Sequence, residues 1–85
     1  MYQVKFTPQG EKDLTRLDKP VVQRILKRLR WLSENFDNLH LELLSGPWQG
    51  VYKLRVGEYR ILYTINKSES FIIVHFVRHR SEVYK

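Results

Sequence analysis

The chain has 85 residues, with 15 lysines and arginines against 9 aspartates and glutamates, and a formal net charge of +6. A single domain spanning residues 1–85 is expected, able to bury roughly 60 to 65% of its unfolded surface. Cysteine is absent, which excludes disulfides and thiolate metal sites, and no apolar run reaches the roughly 18 residues of a membrane helix. We therefore expect a cytoplasmic protein without membrane contact, whose charge favours nucleic acid or an acidic protein as partner.

The chain begins with a predicted strand and a short helix. Residues 1–6 alternate weakly between apolar and polar side chains, as in a strand. Thr7 and Pro8 suit the N-cap and the first position of a helix over residues 8–17. This helix carries few apolar residues, so its packing must come from its neighbours.

A second helix follows Asp18-Lys19-Pro20. Its apolar residues repeat at helical spacing and predict a core-facing stripe of Val21, Val22, Ile25, Leu26, Leu29, Leu32 and Phe36. The cations lie away from this stripe and form either a solvated face or a docking surface for an acidic partner or RNA: Arg24, Lys27, Arg28 and Arg30. Residues 35–47 contain leucines without clean periodicity, and we interpret them as a connection that covers the core.

Residues 51–63 predict a β-hairpin, because two alternating runs flank Gly57-Glu58. A glycine at the first loop position suits a two-residue type II′ turn, which sets position 56 opposite 59, 55 opposite 60 and 53 opposite 62. Arg55 and Arg60 then become cross-strand neighbours, with Lys53 on the same face. Like charges in this arrangement repel each other, so the pattern indicates a bound anion, for which phosphate is the usual ligand of arginine.

Residues 71–77 form a nearly continuous apolar run, typical of a central strand buried on both faces. The predicted fold is α+β, with two N-terminal helices packed on one face of a small antiparallel sheet. The other face, which holds Lys53, Arg55 and Arg60, is expected to be open to solvent.

A group of functional side chains follows this strand. Arg78 or Arg80 could stabilise a charged phosphorane, His79 could move a proton, and Tyr84 could stack on a base or move a proton. Structural alternatives exist for two of them. Arg80 could pair with Glu82, and Tyr84 could cover the edge of the core.

The hairpin over residues 52–63 and the motif over residues 78–84 together resemble the RelE toxins of the RelE/ParE superfamily. The resemblance extends over nearly the whole chain. It implies a toxin with a fold related to microbial ribonucleases, which cleaves mRNA in the ribosomal A site and is neutralised by a cognate RelB-like antitoxin. On the family pattern, Lys53, Arg60, Arg78 and Tyr84 fall on active-site positions, and Arg55 falls where well-known members carry a lysine.

The chemistry that these residues allow is metal-free attack of the ribose 2′-OH on the adjacent phosphorus, leaving a 2′,3′-cyclic phosphate and a 5′-OH. Charge stabilisation is assigned to Lys53, Arg55, Arg60 and Arg78. The candidates for proton transfer are Tyr84, Arg78 and, as a further possibility, His79, whose side chain is expected to point away from Arg78. Arg80 is an additional candidate.

No metal or cofactor is predicted, because the carboxylates are scattered and the histidines lack zinc-ligand spacing. His75 is expected to be a hydrogen-bonded core residue. Two other functions stay open: a ParE-like toxin that inhibits DNA gyrase by binding, and a noncatalytic module that only holds RNA phosphates.

Overall fold

The structure is a computed structural model and describes residues 2–36, 42–43 and 50–83. The elements follow in the order β1 (Gln3–Phe6), α1 (Pro8–Thr15), α2 (Lys19–Asn35), β2 (Glu42–Leu43), β3 (Tyr52–Val56), β4 (Tyr59–Asn66), β5 (Phe71–His79) and α3 (Arg80–Val83). Within these ranges, no helix has the length and apolar character to cross a membrane.

The α+β class is confirmed. The strands form a five-stranded sheet in the order β1-β5-β4-β3-β2. One ladder departs from the predicted antiparallel arrangement, because β1 runs parallel to β5, so the sheet is mixed. β2 lies in the segment interpreted as a connection, where two residues are too short to show an alternating pattern. The rest of that predicted connection, residues 37–41 and 44–47, lies outside the described residues.

The predicted start of α1 is confirmed. Thr7 is the N-cap, and its hydroxyl accepts a hydrogen bond from the Gly10 backbone N–H at 3.1 Å, which satisfies one of the unpaired donors of the first turn. The helix ends before the predicted residue 17. Its last turn tightens, because the N–H groups of Arg16 and Leu17 donate to carbonyls three residues back, at 3.2 and 3.1 Å.

α2 supplies the helical side of the core. Ile25, Leu29 and Leu32 of the predicted stripe are buried, and they pack against the inner side chains of the sheet: Ile61, Tyr63, Ile72, Val74 and Val77. Leu26 was expected in the same stripe, but this prediction is wrong, since its side chain is 44% exposed. The stripe is narrower than the sequence suggested because the helix meets the sheet along one line of residues.

β5 contains a β-bulge at His75. In the ladder with β4, Leu62 lies opposite Phe76 whereas Tyr63 lies opposite Val74, so His75 is the extra residue. Side chains alternate between the two faces of a strand, and one extra residue reverses that alternation. Val74 therefore faces the helices before the bulge and Val77 faces them after it.

The prediction that β5 is buried on both faces is wrong for part of the strand. Ile72, Val74 and Val77 are buried, whereas Phe71 and Ile73 are half-buried. The apolar run thus continues onto a face that the helices do not cover. The predicted hydrogen bond of His75 is present, with Nε2 2.8 Å from the Thr64 hydroxyl, although the residue is half-buried and not deep in the core.

Candidate functional site: an arginine row across three strands

The hairpin register is confirmed. Arg55 lies opposite Arg60, Val56 opposite Tyr59 and Lys53 opposite Leu62. Gly57 has a φ of +57°, and Ser70 is the only described non-glycine residue with a positive φ. Glu58 therefore lacks a positive φ, so within the two-residue loop positive φ occurs only at the first position, as a type II′ turn requires.

A third arginine extends this pair. Arg60 lies opposite Arg55 on one side and opposite Arg78 on the other, so three adjacent strands place an arginine at the same level of one sheet face. We call Arg55, Arg60 and Arg78 the arginine row. The bulge at His75 is its cause, because without the extra residue Arg78 would point to the helical side with the core. Opposed residues of neighbouring strands have Cα atoms about 4.5 to 5.5 Å apart, so the row concentrates positive charge.

The members of the row differ in exposure. Arg55 is exposed, the Arg78 side chain retains 32% of its accessible surface, and Arg60 is 4% exposed. Leu62, on the same face, is 1% exposed. The expectation of an open face is therefore wrong at Arg60 and Leu62. Arg55 and Arg78 are the members of the row that solvent reaches, while Lys53 is half-buried beside them.

The side chain of Arg60 folds back over the turn. Its Nη1 donates to the backbone carbonyls of Gly57 and Tyr59, each at 3.0 Å. These two hydrogen bonds are largely shielded from water and tie β4 to the loop. Arg60 therefore stabilises the hairpin. Its buried charge adds to the positive potential around Arg55 and Arg78.

Arg78 is anchored by a buried carboxylate of α1. Its Nε lies 3.1 Å from Asp13 Oδ2, and the same oxygen accepts the backbone N–H of Val77 at 2.9 Å. Gln9 donates to the other oxygen at 2.8 Å. Burial by itself raises the pKa of Asp13, but the hydrogen bonds from Val77, Gln9 and Arg78 and the charge of Arg78 outweigh it and hold that pKa below its usual range.

Arg80 closes a polar cleft beside the hairpin turn. Its backbone N–H donates to the Glu58 carbonyl at 2.8 Å, and its Nη1 lies 3.5 Å from the Glu58 carboxylate. The alternative role considered for Arg80, an ion pair, is therefore realised with Glu58 instead of Glu82. The cleft has a volume of about 280 Å³, and its lining is Arg55, Gly57, Glu58, Arg60 and Arg80. Three guanidinium groups against one carboxylate give the cleft a net positive lining.

His79 lies away from the arginine row, as predicted. It pairs with Tyr59 in the ladder, so its side chain points to the face opposite Arg78, and its ring meets the Tyr59 ring edge-on at 5.5 Å. The Ser81 backbone N–H donates to His79 Nδ1 at 3.2 Å, and Glu82 accepts the His79 N–H at 3.1 Å. These are the reciprocal contacts of a helix cap, which start α3.

Two site residues remain: Tyr84, which the sequence predicted, and Asp13, which it did not. Tyr84 lies outside the described residues. Asp13 was missed, because it is a lone aspartate in a weakly amphipathic helix. The spacing of Gln9 and Asp13 on one helix face was visible in the sequence, but the two partners of Asp13 on β5 lie 64 and 65 positions further along the chain.

Known proteins share this architecture. The family model of the ParE toxin of type II toxin–antitoxin systems, parDE, matches residues 4–84. A protein of Escherichia coli described as a RelE-like toxin is 33% identical over 90 residues, covering 98% of this chain and 90% of that protein.

Solved structures give the same result. The toxin–antitoxin complex RelBE2 of Mycobacterium tuberculosis matches with a TM-score of 0.82 and 26% identity, over 93% of this chain and 98% of that chain. The RelE–RelB complex of Pyrococcus horikoshii matches with a TM-score of 0.74 and 27% identity, over 93% and 94%. The isolated RelE toxin of E. coli matches with a TM-score of 0.77 and 25% identity, over 99% and 92%.

The fold, the cationic site and these matches together define the class of protein: a small basic α+β toxin of a toxin–antitoxin pair. The chain belongs to the ParE toxin family of type II toxin–antitoxin systems, within the RelE/ParE superfamily. The resemblance to RelE toxins is confirmed.

Proposed function

We propose that this toxin is a ribosome-dependent mRNA endonuclease, which cleaves message in the ribosomal A site without a metal and thereby blocks translation in the cytoplasm. The observation that carries the proposal is the arginine row beside the cleft that includes Arg80. Cations held side by side on a sheet repel one another unless an anion lies between them. An RNA phosphate fits this requirement, because arginine recognises phosphate oxygens with paired donors.

The chain supplies charge stabilisation in this mechanism. The 2′-OH attacks the adjacent phosphorus in line, and negative charge grows on the phosphorane oxygens. Arg55 and Arg78 reach solvent and contact these oxygens, while buried Arg60 and neighbouring Lys53 raise the local potential. Fixed cations stabilise such a transition state without reorganisation, and removing one donor of this kind typically costs about 100- to 1000-fold in rate.

Proton transfer needs a different residue. A guanidinium keeps its proton at any working pH, so Arg55 supplies charge and not a base. His79 faces the opposite side of the sheet and caps α3. Tyr84, which the family resemblance places in the active site, is therefore the assigned proton-transfer residue.

A RelB-like antitoxin is the proposed protein partner. The Mycobacterium tuberculosis and Pyrococcus horikoshii neighbours are complexes of RelE with RelB or of the RelBE type. The net charge of +6 favours an acidic or amphipathic partner. Such a segment would fold as it wraps the helices and the edge of the sheet.

A second candidate is gyrase inhibition by binding, which the match to the ParE family model favours. An inhibitor that acts by binding needs no row of cations on a sheet face, and the row is the reason that we rank cleavage first. The two functions separate cleanly in cells, because a gyrase poison produces DNA damage without new RNA ends.

The test is to map mRNA 5′ ends in a purified translation system with and without ribosomes. The proteins compared are the wild type, Arg55→Ala, Arg78→Ala and the control Lys67→Ala, which removes one exposed charge from the β4–β5 turn. We expect A-site cuts with the wild type and the control, about 100- to 1000-fold slower cutting by the two arginine variants, and no cuts in free RNA. Intact message with the wild type would refute the nuclease proposal.

A further inference from the structure

We propose that Asp13 is a positioning residue of the toxin, which holds the guanidinium of Arg78 in the orientation that the cleavage step needs. The inference rests on the proposed nuclease function and assigns a role to a residue of α1 that never touches RNA. Asp13 would act only through Arg78.

The carboxylate of Asp13 is held at both oxygens. Oδ2 accepts from Val77 N and Arg78 Nε, at 2.9 and 3.1 Å, and Oδ1 accepts from Gln9 Nε2 at 2.8 Å. The side chain is 3% exposed. A buried carboxylate with a donor at each oxygen has no freedom to rotate, so it is a rigid anchor.

The position of this anchor follows from where β1 ends. β1 pairs with β5 only as far as Phe6 opposite Val74. Beyond that point α1 replaces the strand: Thr7 N donates to the Val74 carbonyl at 3.0 Å, and Asp13 accepts the Val77 N–H. Asp13 Oδ2 therefore accepts the backbone N–H of Val77, just after the bulge, and also holds Arg78, whose side chain the bulge has turned toward the arginine row.

The anchor at Nε leaves the two terminal nitrogens of Arg78 available to bind a phosphate. Asp13 engages Nε, and neither terminal nitrogen of Arg78 forms a hydrogen bond to the described part of the chain. The guanidinium carbon lies 4.9 Å from the centre of the Phe76 ring, which restrains the plane of the group from a second side. A guanidinium fixed at Nε presents its two terminal nitrogens to a phosphate without losing further rotamer freedom.

The charge of Asp13 is consistent with this role. Its lowered pKa keeps the carboxylate ionised at neutral pH, so the ion pair with Arg78 persists under working conditions. A negative charge beside Arg78 weakens the attraction for phosphate. Fixed orientation outweighs this loss in the proposal, since a misplacement of about 1 Å can by itself cost about 100-fold in rate.

The test is a double-mutant cycle on the single-turnover rate of ribosome-bound mRNA cleavage, well below the melting temperature. Asp13→Asn keeps the size and removes the charge. We expect it to slow the wild-type reaction by about 10- to 100-fold. In the Arg78→Ala background, Asp13→Asn should change the rate by less than about 2-fold, because residues in one network are not additive. The matched control Glu11→Gln removes an exposed carboxylate of the same helix and should retain a near wild-type rate.

Equal losses in both backgrounds would mean that Asp13 only stabilises the fold, which would overturn the inference. A wild-type rate for Asp13→Asn would overturn it as well. A wild-type protein that never cuts message refutes the proposed function instead, so the two failures are distinguishable.

A second measurement needs neither activity nor a folded variant. Proton exchange at arginine Nε–H can be followed by NMR in the wild type with isotope-labelled arginine. The Nε–H of Arg78 should exchange at least about 10-fold more slowly than that of exposed Arg55, because its hydrogen bond to a buried carboxylate must open before exchange. Equal exchange rates would show that the anchor is absent in solution and would overturn the inference.

Discussion

Gly10 lies where α1 packs directly on the backbone of β5. A β-carbon at this position would lie 2.5 Å from the Val74 carbonyl oxygen and 3.5 Å from the Thr7 hydroxyl. The Val74 carbonyl is part of a strand backbone and already accepts the N–H of Thr7 at 3.0 Å. The strand backbone cannot turn aside as a flexible side chain would, so Gly10→Ala should force the helix away from the strand.

The expected magnitude follows from two opposing effects. The 2.5 Å distance is about 0.9 Å short of the 3.4 Å at which ordinary van der Waals contact begins. Overpacking of this kind costs about 1 to 3 kcal/mol. Alanine gains up to about 1 kcal/mol over glycine in a helix, which offsets part of that cost. Because the close contact is with strand backbone, we take the upper part of that range, about 2 to 3 kcal/mol. The net loss in the free energy of unfolding is then about 1 to 3 kcal/mol, which lowers Tm by at least about 4 °C.

The assay is thermal and urea unfolding of Gly10→Ala beside the wild type. Lys12→Ala is the matched control, because Lys12 is exposed on the same helix and its replacement leaves the contact of α1 with β5 unchanged. The control should retain the wild-type Tm within about 2 °C. A Gly10→Ala protein as stable as the wild type would refute the close packing of α1 on β5. Because α1 carries Asp13, the substitution should also slow RNA cleavage.

Three further predictions concern the turn, the acid limit and the arginine row. Gly57→Ala should lower the free energy of unfolding in urea by about 1 kcal/mol, and Gly57→Asn should lower it less. The cost is one of backbone conformation, because φ is +57° and no atom lies within 4 Å of an added β-carbon. Asp13 has a lowered pKa in the folded state and about 3.9 when unfolded, so its stabilisation is present above pH 4 or so and is lost as the pH falls through the folded pKa. Urea unfolding at several acid pH values should therefore show a shallower decline for Asp13→Asn than for the wild type, and parallel curves would contradict this. In calorimetry, Arg60→Ala should lower the free energy of unfolding by about 1 to 3 kcal/mol, because it removes two hydrogen bonds to the turn. Arg55→Ala should leave the free energy of unfolding and Tm unchanged. Equal losses would contradict the difference in burial.

The hairpin and α2 were predictable because their signals are local. The length of the loop and Gly57 determined the pairing of Arg55 with Arg60, and helical spacing identified Ile25 and Leu29 as core. Leu26 was predicted wrongly, since a sequence stripe does not show how much of a helix its neighbour covers. The position of His79 was predictable from strand alternation alone.

The site itself needed the tertiary structure. Arg78 joins the row only because β5 bulges at His75, and a bulge depends on the pairing of two strands and not on a pattern within one. Asp13 reaches Arg78 from the far end of the chain, and the parallel pairing of β1 with β5 brings the two together. The sequence by itself determined which side chains could bind an anion, through local spacing and turn chemistry. Tertiary structure decided which of them share a face and which are buried, because both depend on contacts between residues that are distant in the chain.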